Sequence, residues 1–173
     1  MARKSKVTKF KVKKSEAEKS GARKAPPLFT IGYEQSRPDA VLAALKEARV
    51  ELLIDTRAVA ASRKPGFSKR QLSASLDEIG IRYLHLQKLG TPAEGREAAR
   101  AGDMKTLWRI YNRHLKTHDA VEAMDELLSL IGSGQRVCLL CFERDPGHCH
   151  RSRIAEIVTE RTGAKVSDLV PAI

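Results

Sequence analysis

Val137-Cys138-Leu139-Leu140-Cys141-Phe142-Glu143-Arg144-Asp145-Pro146-Gly147-His148-Cys149-His150-Arg151 is the stretch on which the fold turns. Residues 136–142 are the most apolar run in the chain, and a short apolar run without polar alternation reads as a strand buried on both faces. Charged residues begin at Glu143, a Pro-Gly turn follows, and Ser152–Thr162 reads as a helix closed by Gly163. A doubly buried strand that feeds a helix belongs to a parallel sheet covered on both sides.

Outward from this segment the same unit repeats. Leu28–Ile31 reads as a strand ending at Gly32, and Ser36-Arg37-Pro38-Asp39 as a helix start with Ser36 as its cap. Val41, Leu42, Leu45 and Ala48 then share one helical face. Glu51–Ile54 is a second strand running into Asp55-Thr56-Arg57, and residues 62–68 form a polar loop. A helix with Leu72, Leu76 and Ile79 inward ends at Gly80, and Ile81–Leu86 is a third strand. Residues 91–102 read as a polar loop or short helix, 103–114 and 119–131 as two helices, and 165–170 as a short last strand. The expected architecture is one α/β domain over residues 28–173, with a mostly parallel sheet of four to five strands and helices on both faces.

Composition limits the function classes. The chain has 173 residues, 42% of them hydrophobic, enough for one domain with a real core. No stretch is long and apolar enough for a membrane helix, so no membrane partner is expected. Three cysteines, at 138, 141 and 149, are an odd number on one short segment, which fits free thiols in a reducing, cytoplasmic setting. Residues 1–24 hold ten lysines and arginines against Glu16 and Glu18, so most of the formal charge of +11 sits there. Residues 1–27 are therefore expected to be a disordered basic arm, either a contact to nucleic acid or a solubilising tail.

Ligands of open parallel sheets bind beyond the carboxyl ends of the strands. The residues expected there are Gly32-Tyr33-Glu34, Asp55-Thr56-Arg57, His85 with Gly90, and Glu143 through Arg151. Cys149 and His150 would open a helix whose dipole and free amides favour an anion, with Arg151 as a forked clamp. Three chemistries compete. Cys149 could be a thiolate nucleophile with Arg151 holding an anion, although the spacing from Cys141 to Arg151 is too long for the phosphatase or rhodanese pattern. Cys138, Cys141, His148, Cys149 and His150 are zinc-ligand types, but Cys138 and Cys141 on one regular strand point to opposite faces, so no metal and no cofactor is expected. Glu143 could be a general acid or base, with Asp55 as a second carboxylate and Arg57 or Arg151 beside it. Against all three stands a structural ion-pair network of Asp55, Arg57, Glu143 and Arg151. Ser62-Arg63-Lys64 with Lys69-Arg70 is a further basic patch, phosphate-binding or merely solvated.

Thr30-Ile31-Gly32-Tyr33, Asp55-Thr56-Arg57, Ser62-Arg63 with Phe67, Gly80 through Leu86 with Leu89-Gly90, and Glu143 followed by Cys149-His150-Arg151-Ser152 together resemble the domain-of-unknown-function 488 family over residues 28–170. Ala60 and Thr91 depart from its usual pattern. The resemblance implies an α/β fold with these motifs gathered into one pocket, and no established reaction. The leading expectation is a small enzyme, a hydrolase or transferase, acting on an anionic, phosphate-bearing substrate such as a nucleotide or nucleic acid. Glu143, Cys149, His150 and Asp55 would be catalytic, and Arg57, Arg151, Tyr33, Gly32, Ser62, Arg63 and His85 would bind the substrate. The rival expectation is a non-catalytic nucleic-acid or nucleotide binding module whose affinity comes partly from residues 1–24.

Overall fold

The computed structural model describes residues 27–173; the basic arm expected over residues 1–27 lies outside them apart from Pro27. Five strands form one fully parallel sheet: β1 (Leu28–Gly32), β2 (Leu52–Asp55), β3 (Arg82–His85), β4 (Val137–Cys141) and β5 (Val166–Leu169). Their order is β3-β2-β4-β1-β5. The α-helices among the described residues are α1 (Pro38–Glu47), α2 (Lys69–Glu78), α3 (Ala93–Arg100), α4 (Met104–His114), α5 (His118–Gly132) and α6 (His150–Thr162).

The two-residue pleat sorts the apolar strands onto two cores. Leu28, Leu52, Ile54, Val137 and Leu139 pack against Tyr111 of α4, Met124, Leu127 and Ile131 of α5, and Ile154 and Val158 of α6. Phe29, Ile31, Leu53, Cys138 and Leu140 pack on the other face against Val41 and Leu45 of α1 and Leu72 and Leu76 of α2. Cys138 thus points away from Cys141, as the strand geometry requires.

Element ends differ from the sequence reading where local chemistry is ambiguous. Arg37, not Ser36, caps α1, because Pro38 supplies the first helical residue and Ser36 is drawn into the loop beside Glu34 and Arg144. Residues 91–102, read as a loop or short helix, contain α3. Helix α2 ends at Glu78, and the chain turns through Ile79 to Gly80, whose φ of 73° is open to glycine without cost.

The chain order explains where a ligand would sit. From β1 through β2 to β3 the chain moves toward one edge with α1 and α2 on one face; from β3 through β4 to β5 it moves back with α4, α5 and α6 on the other. Reversing direction and face together keeps a single crossover hand throughout, as parallel sheets require. Beyond Cys141 the chain therefore leaves toward one face while the chains beyond its neighbours β1 and β2 leave toward the other. A crevice opens at that divergence.

Candidate functional site

The crevice is a cleft of about 560 Å³, lined by Tyr33 after β1, Arg57 to Val59 and Ala61 to Lys64 after β2, Arg96 and Arg100 of α3, and Cys141, Phe142, Glu143 and His150. A second hollow shares Thr91, Arg96, Arg100, Phe142, Glu143 and His150 with it and extends toward Met104 and His148.

The loop after β4 comes close because residue 32 is glycine. A Cβ there would lie 1.8 Å from the Glu143 carbonyl oxygen. Gly32 acts by giving way to backbone and does not line the cleft. Arg151 holds the same loop from beneath. It is 1% exposed, and its guanidinium donates to Thr30 Oγ1 at 3.1 Å, to the Glu143 carbonyl, and to the Arg144 carbonyl at 3.0 Å. Arg151 was expected to clamp a substrate; in the structure each of its nitrogens has a protein partner, and the side chain is not among the residues lining the cleft.

Asp55 and Arg57 form a buried fork-to-fork pair, with Nε to Oδ1 at 2.8 Å and Nη2 to Oδ2 at 2.6 Å. Arg57 also donates to the Tyr33 hydroxyl at 2.8 Å and to the Phe67 carbonyl at 3.0 Å, and Tyr83 donates to Asp55 at 2.6 Å. Burial works against the Arg57 charge, yet the hydrogen bond and charge of Asp55 outweigh it and the guanidinium is held above its usual range. Burial, then the bond to Asp55, likewise raises the Tyr83 hydroxyl. Asp55, expected to be catalytic, is 0% exposed, does not line the cleft, and its ion pair with Arg57 shapes the loop after β2. His85 sits behind that loop, its Nε2 2.7 Å from the Arg57 carbonyl, and does not reach the cleft. Tyr33 stacks on Phe67 at 4.2 Å between ring centres and meets Phe142 edge-on at 5.4 Å. Ser62 lies 3.5 Å from the Tyr33 hydroxyl, and Arg63 beside it is exposed at the rim.

At the cleft floor β4 and α6 bring four reactive side chains together. Cys141 Sγ lies 3.1 Å from Glu143 Oε2 and 3.5 Å from His150 Nδ1, and Cys149 Sγ is 4.0 Å from the same Nδ1. His150 Nε2 is 3.0 Å from the Thr56 carbonyl, and the edge of Tyr111 packs on the ring at 5.3 Å. A carbonyl only accepts, so Nε2 carries a proton, and Nδ1 faces the two sulfurs. Burial tends to raise Glu143, but bonds from Cys141 and Cys149 and the nearby imidazole prevail and lower it. Burial pushes the Cys149 thiol well up. A thiol that is 1% exposed and so raised does not serve as an open thiolate nucleophile.

Of the residues singled out in the sequence, Tyr33, Arg57, Ser62, Arg63, Glu143 and His150 line the cleft, while Gly32, Asp55, His85, Cys149 and Arg151 stand behind it. Sequence reasoning missed Arg96, Arg100 and Phe142 as cleft residues. The two arginines are four apart, a spacing that would have put them on one face had residues 91–102 been read firmly as a helix. The opposite facing of Cys138 and Cys141 was legible in the strand alternation, but the meeting of Cys141 with Cys149 and His150 across the turn was not.

Fold and site together define a doubly wound parallel α/β domain with a cation-lined cleft over a thiol, imidazole and carboxylate cluster. The chain belongs to the family described as domain of unknown function DUF488, whose model matches residues 37–158. No curated protein and no solved structure matches it.

Proposed function

We propose that the protein is a small enzyme acting on a phosphate-bearing substrate of the nucleotide or nucleic-acid class. The observation that carries this reading is the charge of the cleft: Arg63, Lys64, Arg96 and Arg100 line it against Glu143, while the Arg57 charge is already matched by Asp55. Cations aimed into a concave site attract phosphate, and arginine holds it in a forked geometry. Phe142, 44% exposed on the same wall, supplies an aromatic face on which a base can stack. Its volume falls within the roughly 300–1,000 Å³ of small-molecule sites. Glu143 at the floor serves as the proton acceptor or donor, and His150 assists from behind it. Three free, buried thiols fit a reducing, cytoplasmic compartment.

The test is a thermal-shift screen of the full chain against inorganic phosphate, nucleoside mono-, di- and triphosphates and short oligonucleotides, run with Arg96→Ala/Arg100→Ala in parallel. A nucleotide at about 100 times its Kd should stabilise the wild type by about 2.7 kcal/mol and the double variant far less. Turnover of that nucleotide, lost in Glu143→Gln with binding retained, separates an enzyme from a binding module. Equal shifts in wild type and double variant would overturn the cleft as the site.

A further inference from the structure

The cluster at the cleft floor has a donor set and a shape that acid–base chemistry alone does not require. Cys141 Sγ, Cys149 Sγ, His150 Nδ1 and a Glu143 carboxylate oxygen all lie within 4.8 Å of one another. A zinc ion with Zn–S near 2.3 Å and Zn–N or Zn–O near 2.0–2.2 Å sets tetrahedral edges of about 3.3–3.8 Å between its ligands. The measured separations of 3.1, 3.5 and 4.0 Å bracket those edges before any adjustment to an ion.

We propose that Cys141, Cys149 and His150 bind a zinc ion through Sγ, Sγ and Nδ1, with Glu143 as a fourth, exchangeable ligand on the cleft side. Two soft sulfurs and an imidazole suit zinc rather than magnesium or calcium.

A second observation points to the same ion. The Nε2 proton of His150 is committed to the Thr56 carbonyl, the outer contact that typically fixes a metal-binding histidine and turns its other nitrogen to the metal. That carbonyl is held in place in turn, since Thr56 binds the Leu140 carbonyl through its amide at 3.1 Å and its hydroxyl at 2.9 Å. The ligands also sit on rigid ground: Cys141 ends the central strand β4, and Cys149 and His150 open α6. Arg151 pins the carbonyls of Glu143 and Arg144, fixing the chain between them.

Exposure divides the four ligands. Cys141, Cys149 and His150 are buried, whereas Glu143 is only partly so and lines both hollows. Three buried protein ligands with the fourth position toward a cleft is the layout of a catalytic zinc site, in which water or substrate takes the fourth place. Binding is balanced as Zn²⁺ replacing the two thiol protons, which leave to solvent as the two Zn–S bonds form. The centre adjoins the nucleotide cleft but does not rest on that reading.

The full chain, stripped with a chelator under reducing conditions and then titrated with Co²⁺, should take up one equivalent. It should show the strong ligand-field absorption of a tetrahedral ion and a sulfur-to-metal charge-transfer band, with Zn²⁺ displacing the Co²⁺. Cys141→Ser and Cys149→Ser should each lose more than about 100-fold in affinity, beyond what removing an outer-shell partner costs. Cys138→Ala, on the opposite face of the sheet, should bind as the wild type does. So should His118→Ala, which breaks the exposed group of His118, Asp119 and Glu122. Should the serine variants fail to fold, the wild type still decides: alkylation of Cys141 and Cys149, which in the stripped protein proceeds through local opening, must become slower when one equivalent of Zn²⁺ is added, in mass-spectrometric mapping. Absence of the charge-transfer band or of that protection overturns the site, as does equal loss in Cys138→Ala. Nucleotide-induced thermal shift in the stripped protein reads the cleft separately.

Discussion

Asp55 is a carboxylate whose oxygens are all taken up by the protein itself. Its two oxygens take the Arg57 guanidinium, the Arg57 amide and the Tyr83 hydroxyl, and it has no exposed surface. Breaking a buried pair from one side leaves a charge without compensation, which costs about 3–5 kcal/mol. Asp55→Ala should therefore lower unfolding stability by that amount in denaturant titration, with Arg57 stranded at 6% exposure. A loss below about 1 kcal/mol, accompanied by loss of turnover, would instead assign Asp55 to the reaction. Cys149 carries the opposite lesson: its sulfur is as buried as the core, yet the imidazole of His150 is beside it. A sulfur in that position faces the side-chain cluster at the cleft floor rather than solvent.

At the scale of elements, the site depends on how closely the loop after β4 approaches β1. Gly32 pairs with Cys141 in the β1–β4 register, and the Glu143 carbonyl occupies the place of the missing Cβ. Gly32→Ala must push the loop away, at a cost of about 1–3 kcal/mol typical of overpacking. It should also weaken Co²⁺ binding, because Glu143 and the path to Cys149 move with that loop. Gly132→Ala at the end of α5 meets nothing within 4 Å and should change stability by less than about 0.5 kcal/mol. If both variants behave alike in stability and in metal binding, the close approach of β1 and the loop does not organise the site. Helix α3 is the second element that shapes the cleft, since it brings Arg96 and Arg100 to its wall, with Arg96 tied to the Thr91 carbonyl at 2.7 Å.

For the whole molecule, positive charge lies both in residues 1–24 and around the cleft. Residues 1–24 hold ten lysines and arginines, and each phosphate contact on a single strand contributes about 0.7 to the slope of log K against log salt. Deleting residues 1–24 should reduce that slope by about 3 or more for an oligonucleotide, measured by fluorescence anisotropy. The thermal shift given by a mononucleotide should persist, because every cation of the cleft lies in residues 57–100. Loss of the mononucleotide shift on deletion would move the phosphate site from the cleft to the arm. No helix among the described residues is long and apolar enough to cross a membrane.

The sequence by itself determined the alternation of strands and helices, the parallel sheet with two covered faces, and the family. Each follows from short-range signals: apolar runs of strand length, glycines beyond helix ends, and a Pro-Gly turn after the most buried strand. It also marked Glu143 and His150, because polar residues directly after an apolar strand fall where that strand's end opens. Only the tertiary structure decided strand order, and with it which strand ends share a crevice. It separated arginines that pair inside the protein, Arg57 and Arg151, from those facing the cleft, Arg96 and Arg100; charge in a sequence carries no direction. It also placed Cys141 with Cys149 rather than Cys138, since that meeting depends on α6 packing back over β4, a contact set by the sheet's winding and not by any spacing along the chain.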